Sequence, residues 1–197
     1  MKGTIGKLIA ASVFFVAVVG TSGCATAAKS VDATDATAIA VNSGEAVVFG
    51  KFRLVRNGQE ARLDDGLFST SAKLNVMRAG ESQASVHRVG EDGEFAMALE
   101  PGFYRIASIS FNHRGERVEP VTNFTFHVEG GQEALYIGTM TLEATFDSGY
   151  YGVNGFVESY TVSDDCASDC AARIEKLGIA DAIVGLMDQP NQVASRN

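Results

Sequence analysis

Histidine and cysteine are both scarce in this sequence: each occurs three times in 197 residues, and tryptophan is absent. His87, His113 and His127 show no ligand spacing such as HExxH, so we expect solvated surface histidines and no metal site. The sequence also lacks the GxSxG, P-loop and GxGxxG motifs that mark many enzymes and nucleotide-binding proteins. Because no pair of carboxylates is singled out either, the sequence predicts a protein that is not an enzyme and has no cofactor.

Basic residues are also few. Lys and Arg number 16 against 24 Asp and Glu, which gives a net charge of −8. An acidic chain repels nucleic acid, and no polybasic patch is present to attract anionic lipid. We therefore expect no nucleic-acid partner, and any membrane attachment should come from a covalent lipid. The acidic run of Asp164, Asp165 and Asp169 lacks the EF-hand spacing, so it predicts helix capping rather than calcium binding.

Residues 1–23 have the pattern of an export signal. Lys2 and Lys7 form a short positive region, and the apolar run at 8–19 is too short to span a bilayer comfortably. Removal of this segment takes away two basic residues and no acidic ones, so the remaining 174 residues carry a net charge of −10. That length suits one domain with a real core.

The stretch TSGC at residues 21–24 resembles the lipobox of bacterial lipoproteins, although Thr21 stands where a leucine-like residue is preferred. The resemblance implies that Cys24 becomes the lipidated first residue. Ala25 is not an aspartate retention signal, so the resemblance also implies the outer membrane, facing the periplasm. The alternative is ordinary cleavage after Ala27, which would discard Cys24 and release a soluble periplasmic protein.

Residues 24–45 follow the signal and are rich in Ala, Thr, Ser and Asp. This composition predicts a flexible tether with an end-to-end distance of about 25 Å. A short helix through the alanines is the alternative.

Residues 46–162 alternate apolar and polar side chains with period two. In AVVFGKFRLV, for example, Phe52 and Leu54 share one face while Lys51 and Arg53 share the other. About eight such segments, separated by turn signals, predict a mostly β domain, an antiparallel β-sandwich of about seven to eight strands. We find no βαβ alternation and no internal repeat.

One stretch within this domain, residues 91–106, has a distinctive spacing, G-x-F-x-x-x-L-x-P-G-x-Y-x-I. It resembles the hairpin of carboxypeptidase-regulatory-like, or prealbumin-like, domains, which implies a transthyretin-like sandwich that usually serves as an accessory module. A type II turn after Pro101 would place Gly102 at positive φ. The alternative is an unrelated hairpin with the same turn chemistry. The residues of the motif are Gly93, Phe95, Leu99, Pro101, Gly102, Tyr104 and Ile106.

Residues 163–188 predict one or two short C-terminal helices packed at an edge or end of the sandwich, followed by a frayed tail at 189–197. The first helix, 165–177, has an apolar stripe of Cys166, Cys170, Ile174 and Leu177. Gly178 should end it. A second helix is expected over the stretch ADAIVGLM at 180–187.

Cys166 and Cys170 form a C-x-x-x-C pair with three interpretations: a disulfide, two reduced thiols on the apolar stripe, or a metal or redox site. The pair is even in number if Cys24 carries lipid, which suits a disulfide in an oxidising compartment. In an ideal helix, however, Cβ atoms four residues apart are about 5–6 Å from each other, so a disulfide needs a distorted turn.

These patterns together predict a non-enzymatic lipoprotein of the cell envelope, whose β-sandwich binds or supports another envelope protein. Two other classes stay open. One is an envelope hydrolase whose site is not visible as a motif, and the other is a carrier of a small ligand or metal that uses Cys166 and Cys170.

Overall fold

The alternating segments form two packed β-sheets. The computed structural model describes residues 43–61, 63, 72–113, 116–149, 152–166, 170–179 and 182–188. The predicted signal, Cys24, most of the tether and the tail at 189–197 lie outside the described residues.

The described residues contain eleven strands and the helix α1, Ala171–Leu177. Sheet I consists of β1 Ala46–Arg56, β2 Gln59–Ala61, β5 Glu94–Leu99, β9 Ala134–Gly149, β10 Gly152–Ser163 and β11 Ile183–Val184. Sheet II consists of β3 Lys73–Arg78, β4 Ser85–Arg88, β6 Gly102–His113, β7 Glu116–Val118 and β8 Val121–Val128.

Most neighbouring strands are antiparallel, but the central pair of sheet I is not. β1 pairs in parallel with β9, and its other edge pairs antiparallel with β5 and β2. The far edge of β9 pairs antiparallel with β10 and in parallel with β11. In sheet II the order is β4-β3-β6, and β8 and β7 both pair with the outer edge of β6.

The main core lies between the two sheets. On β8 the side chains alternate strictly between exposed and buried, as period-two patterning requires. Phe52 of sheet I faces Phe111 of sheet II with ring centroids 6.4 Å apart. Both sheets fill this core with apolar side chains, among them Leu54, Met140, Leu142, Leu74, Ile106 and Phe124. The predicted mostly β, two-sheet fold with a short C-terminal helix is therefore confirmed, with more strands than the seven to eight expected.

The helix α1 covers the outer face of sheet I rather than an edge or end of the sandwich. β1 is apolar on both faces, so Val47 and Phe49 point away from the main core and form a second cluster with Tyr136. The predicted helical stripe packs on this cluster, with Cys170 and Leu177 buried. Gly178 ends the helix at φ 65°, as predicted.

The prediction of a second helix over residues 180–187 is wrong, because the described residues 182–188 are extended. Ile183 and Val184 are β-branched and pair with β9 as β11, and Gly185 is a poor helix former. Asp188 then exchanges backbone hydrogen bonds with Thr125 of β8. The segment therefore joins the edges of both sheets.

The prediction of a hairpin around Pro101 is also wrong. β5 pairs with β1 in sheet I, whereas β6 pairs with β3 and β8 in sheet II, so the chain changes sheets at Glu100 and Pro101. Gly102 has φ 158° as the first residue of β6, far from the roughly 80° of a type II turn. The Tyr104 hydroxyl donates a hydrogen bond to the Glu100 carbonyl at 2.8 Å and holds this corner.

Across the described part of the chain, no helix has both the length and the hydrophobicity needed to span a membrane.

Candidate functional site

The candidate site is a groove on the outer face of sheet II, which we call the Phe103 groove. Tyr104 and Ile106 of β6 point into the core, so Phe103 and Arg105 point outward. The register places Arg105 between Met77 of β3 and Thr125 of β8. The groove has a volume of about 500 Å³ and is lined by Met77, Arg78, Ala79, Gly80, Glu81, Phe103, Tyr104, Arg105 and Thr125.

Phe103 is the apolar centre of this site. Its side chain is 65 % exposed, although an aromatic ring of this size is normally buried. The ring stacks on His127, its cross-strand neighbour, with centroids 4.1 Å apart and planes 12° from parallel. This stacked pair, which we call the aromatic platform, covers one face of the Phe103 ring and leaves its other face and its edge exposed.

Charged groups lie at two ends of the groove. At one end, Arg78 donates to the Glu100 carboxylate at 2.7 Å, and this bond raises the pKa of the guanidinium. Burial raises the pKa of the Tyr104 phenol at the same end of the groove. The negative charge of Glu81 adds to the rise in the pKa of both Tyr104 and Arg78. At the other end, Arg105 donates to the Met77 sulfur at 3.2 Å and forms no ion pair with a carboxylate of the described chain.

The histidines do not gather, although one of them contributes to the site. His127 is exposed on the platform, as expected for a surface histidine. His113 ends β6. His87 departs from the expectation: it pairs with Leu74 on the inner face of sheet II and bonds to the Ser85 hydroxyl at 2.8 Å. Burial lowers the pKa of His87 from 6.5 to about 4.

This shift makes stability depend on pH. Between pH 6.5 and about 4 the unfolded chain binds a proton that neutral His87 in the folded state does not. Acidification through this range should therefore lower the free energy of unfolding by about 3 kcal/mol. Urea unfolding at several pH values should show the loss in the wild type and little of it in His87→Gln. The control His127→Gln keeps the Ser85–His87 contact and should lose as much stability on acidification as the wild type. If His87→Gln also lost as much, His87 would not be the source of the pH dependence.

The cysteine pair lies away from the groove, on the opposite side of the molecule. Cys166 and Cys170 precede α1 with Cα atoms 4.2 Å apart, and the structure joins their sulfurs in a disulfide. Asp164 accepts a hydrogen bond from the Cys166 amide at 3.0 Å, but α1 begins only at Ala171 and has no side-chain cap, so the acidic run does not cap this helix as expected. Cys24 lies outside the described residues.

The groove combines apolar, charged and hydrogen-bonding side chains. It offers an aromatic platform, a thioether, two guanidinium groups, a carboxylate and two hydroxyl groups. Within the described residues, no group of three or more His, Cys, Asp or Glu side chains could hold a metal ion.

The sequence carried one signal for this groove that the sequence analysis missed. In FYRIASISF, Phe103 occupies an outward position of β6 that period-two patterning would assign to a polar residue. This apolar side chain on the polar register of the strand lines the groove in the folded chain.

Comparisons with known proteins identify no family. No family model matches the chain, and no curated protein matches it. Among solved structures, it is similar to the crystal structure of a DUF3823 family protein from Bacteroides ovatus. The identity is 11 %, the match covers 61 % of this chain and 77 % of that one, and the TM-score is 0.23. A TM-score of this size is too low to infer a shared fold.

Proposed function

We propose that this chain is a non-enzymatic lipoprotein of the cell envelope that binds a partner protein through the Phe103 groove. The observation that carries the proposal is the 65 % exposed Phe103 ring, which stacks on His127 and lines a groove on the outer face of sheet II. Aromatic side chains, Met and Arg are enriched in protein interfaces, and the groove combines all three.

The anchoring part of the proposal rests on the sequence. The lipobox-like TSGC stretch and the polar segment after it would attach the sandwich to the outer membrane through acyl chains on Cys24. More than one acyl chain is needed for stable anchoring, and a lipidated amino-terminal cysteine provides this.

Site-specific crosslinking in intact cells tests the function. A photoreactive benzoyl-phenylalanine at position 103 should trap one discrete protein partner. The matched control carries the same residue at Val121, which is also 65 % exposed and lies on the same face, about 20 Å along β8. Equal trapping from both positions, or none from position 103, would count against the groove.

The same cells test the anchor. Wild type should partition into the detergent phase of a Triton X-114 extract, and Cys24→Ala should move to the aqueous phase. A wild-type protein that is aqueous and begins at Ala28 would refute lipidation.

A further inference from the structure

The distribution of charge along the Phe103 groove indicates which kind of partner fits it. We propose that the groove binds an extended peptide segment in which an apolar side chain lies between a carboxylate and a cationic group. This inference rests on the proposed function, because it names the chemistry of the partner that the same groove would receive.

The middle of the groove is suited to an apolar side chain. Phe103 and Met77 line it, and Met adapts to varied shapes because its thioether is flexible and polarisable. A side chain placed here would cover the exposed face of the Phe103 ring and bury apolar area that now faces water.

The end of the groove at Arg105 is suited to a negatively charged group of the partner. The guanidinium of Arg105 donates to the neutral Met77 sulfur at 3.2 Å, and no carboxylate of the described residues forms an ion pair with it. Asp188 lies beyond Thr125 on the side away from Arg105, since Thr125 pairs with both. A partner carboxylate could therefore pair with Arg105 in the forked geometry that guanidinium groups favour.

The opposite end of the groove is suited to a positively charged group of the partner. Glu81 lines this end of the groove, and Glu100 lies there as the partner of Arg78 at 2.7 Å. Because Arg78 is already bonded to Glu100 and to the Pro101 carbonyl, Glu81 is left to receive a lysine or arginine of the partner. A neutral oligosaccharide would use the aromatic platform but neither charged end, so the peptide is favoured.

The lack of tryptophan in the protein provides the assay. Blocked peptides with one tryptophan, Gly-Asp-Trp-Lys-Gly and Gly-Lys-Trp-Asp-Gly, report binding to the purified protein through their own fluorescence. One of the two orders should bind better than the uniformly charged Asp-Trp-Asp and Lys-Trp-Lys peptides. Arg105→Glu should weaken the preferred mixed peptide about tenfold and favour Lys-Trp-Lys instead, and Glu81→Lys should favour Asp-Trp-Asp.

The inference would be overturned if all four peptides bound with equal affinity, or if neither charge-reversal variant changed the peptide preference. It would also be overturned if maltohexaose displaced the mixed peptide at a lower concentration than an unlabelled mixed peptide does. Both variants are at exposed positions, and unchanged circular dichroism confirms their fold. The outcomes also separate the two proposals. Charge-dependent peptide binding without a crosslink from position 103 in cells would refute the proposed function alone, whereas a crosslink with charge-independent peptide binding would refute this inference alone.

Discussion

Replacement of Arg173 by Met should lower the free energy of unfolding by about 3–5 kcal/mol. Arg173 lies on α1 and is only 4 % exposed. Its guanidinium donates to the backbone carbonyls of Gly50 and Phe95, pairs with Glu94 at 3.3 Å and lies 5.8 Å from the centroid of the Phe49 ring. Methionine would fill the space but would leave both carbonyls without this donor, so the helix would dock less tightly on sheet I.

Urea unfolding of three variants measures this effect. Arg173→Lys keeps the charge but cannot serve both carbonyls and Glu94 in the same planar geometry, so its loss should be intermediate. Lys176→Met is the matched control, because Lys176 also faces Glu94 at 3.5 Å but is 67 % exposed. Its loss should stay below about 1 kcal/mol. Similar losses in Arg173→Met and Lys176→Met would show that burial of the guanidinium does not matter.

Gly93→Ala should also destabilise the fold strongly, by about 3 kcal/mol or more. Gly93 has φ 85°, and an added Cβ would lie 2.2 Å from the Phe52 carbonyl oxygen. That oxygen belongs to the backbone of β1, which cannot move without disturbing the pairing of β1 with β5 and β9. The Gly93 carbonyl meanwhile accepts a hydrogen bond from the Phe52 amide at 2.8 Å, which fixes the two segments together.

Gly58→Ala separates the two contributions. Gly58 has a similar φ of 79°, but no atom lies within 4 Å of an added Cβ. Its replacement should therefore cost only the conformational strain, about 1–2 kcal/mol. Thermal or urea unfolding of both variants gives the comparison, and equal losses would mean that contact with β1 contributes nothing.

Local sequence patterns predicted the strands and the helix better than they predicted which strands pair with one another. The alternation of β8 and the stripe of α1 are properties of a few neighbouring residues, and both were legible in the sequence. Pro101 and Gly102 correctly predicted the end of one strand and the start of the next. The same two residues, however, are compatible with a hairpin within one sheet and with a crossing from one sheet to the other. Which of the two forms depends on where β1, β3 and β8 lie, and local spacing does not contain that information.

The site was harder to predict for the same reason. Arg173 reads as a solvated position of an amphipathic helix until α1 is placed over Gly50 and Phe95. Phe103 becomes part of a platform only when β6 and β8 bring it beside His127. His87 was expected in solvent, but the edge strand β4 turns its ring inward beside Leu74. Each depends on contacts between segments that are distant in the sequence.

The parallel pairing of β1 with β9 has a consequence for how the chain acquires its structure. It joins Val47 to Ala134 and Arg56 to Ala144, so the centre of sheet I is built from the two ends of the domain. The contact order is therefore high, and folding should take milliseconds to seconds rather than microseconds. The first strand cannot pair with the ninth until the ninth has been synthesised, so the centre of sheet I stays incomplete during most of the synthesis of the domain.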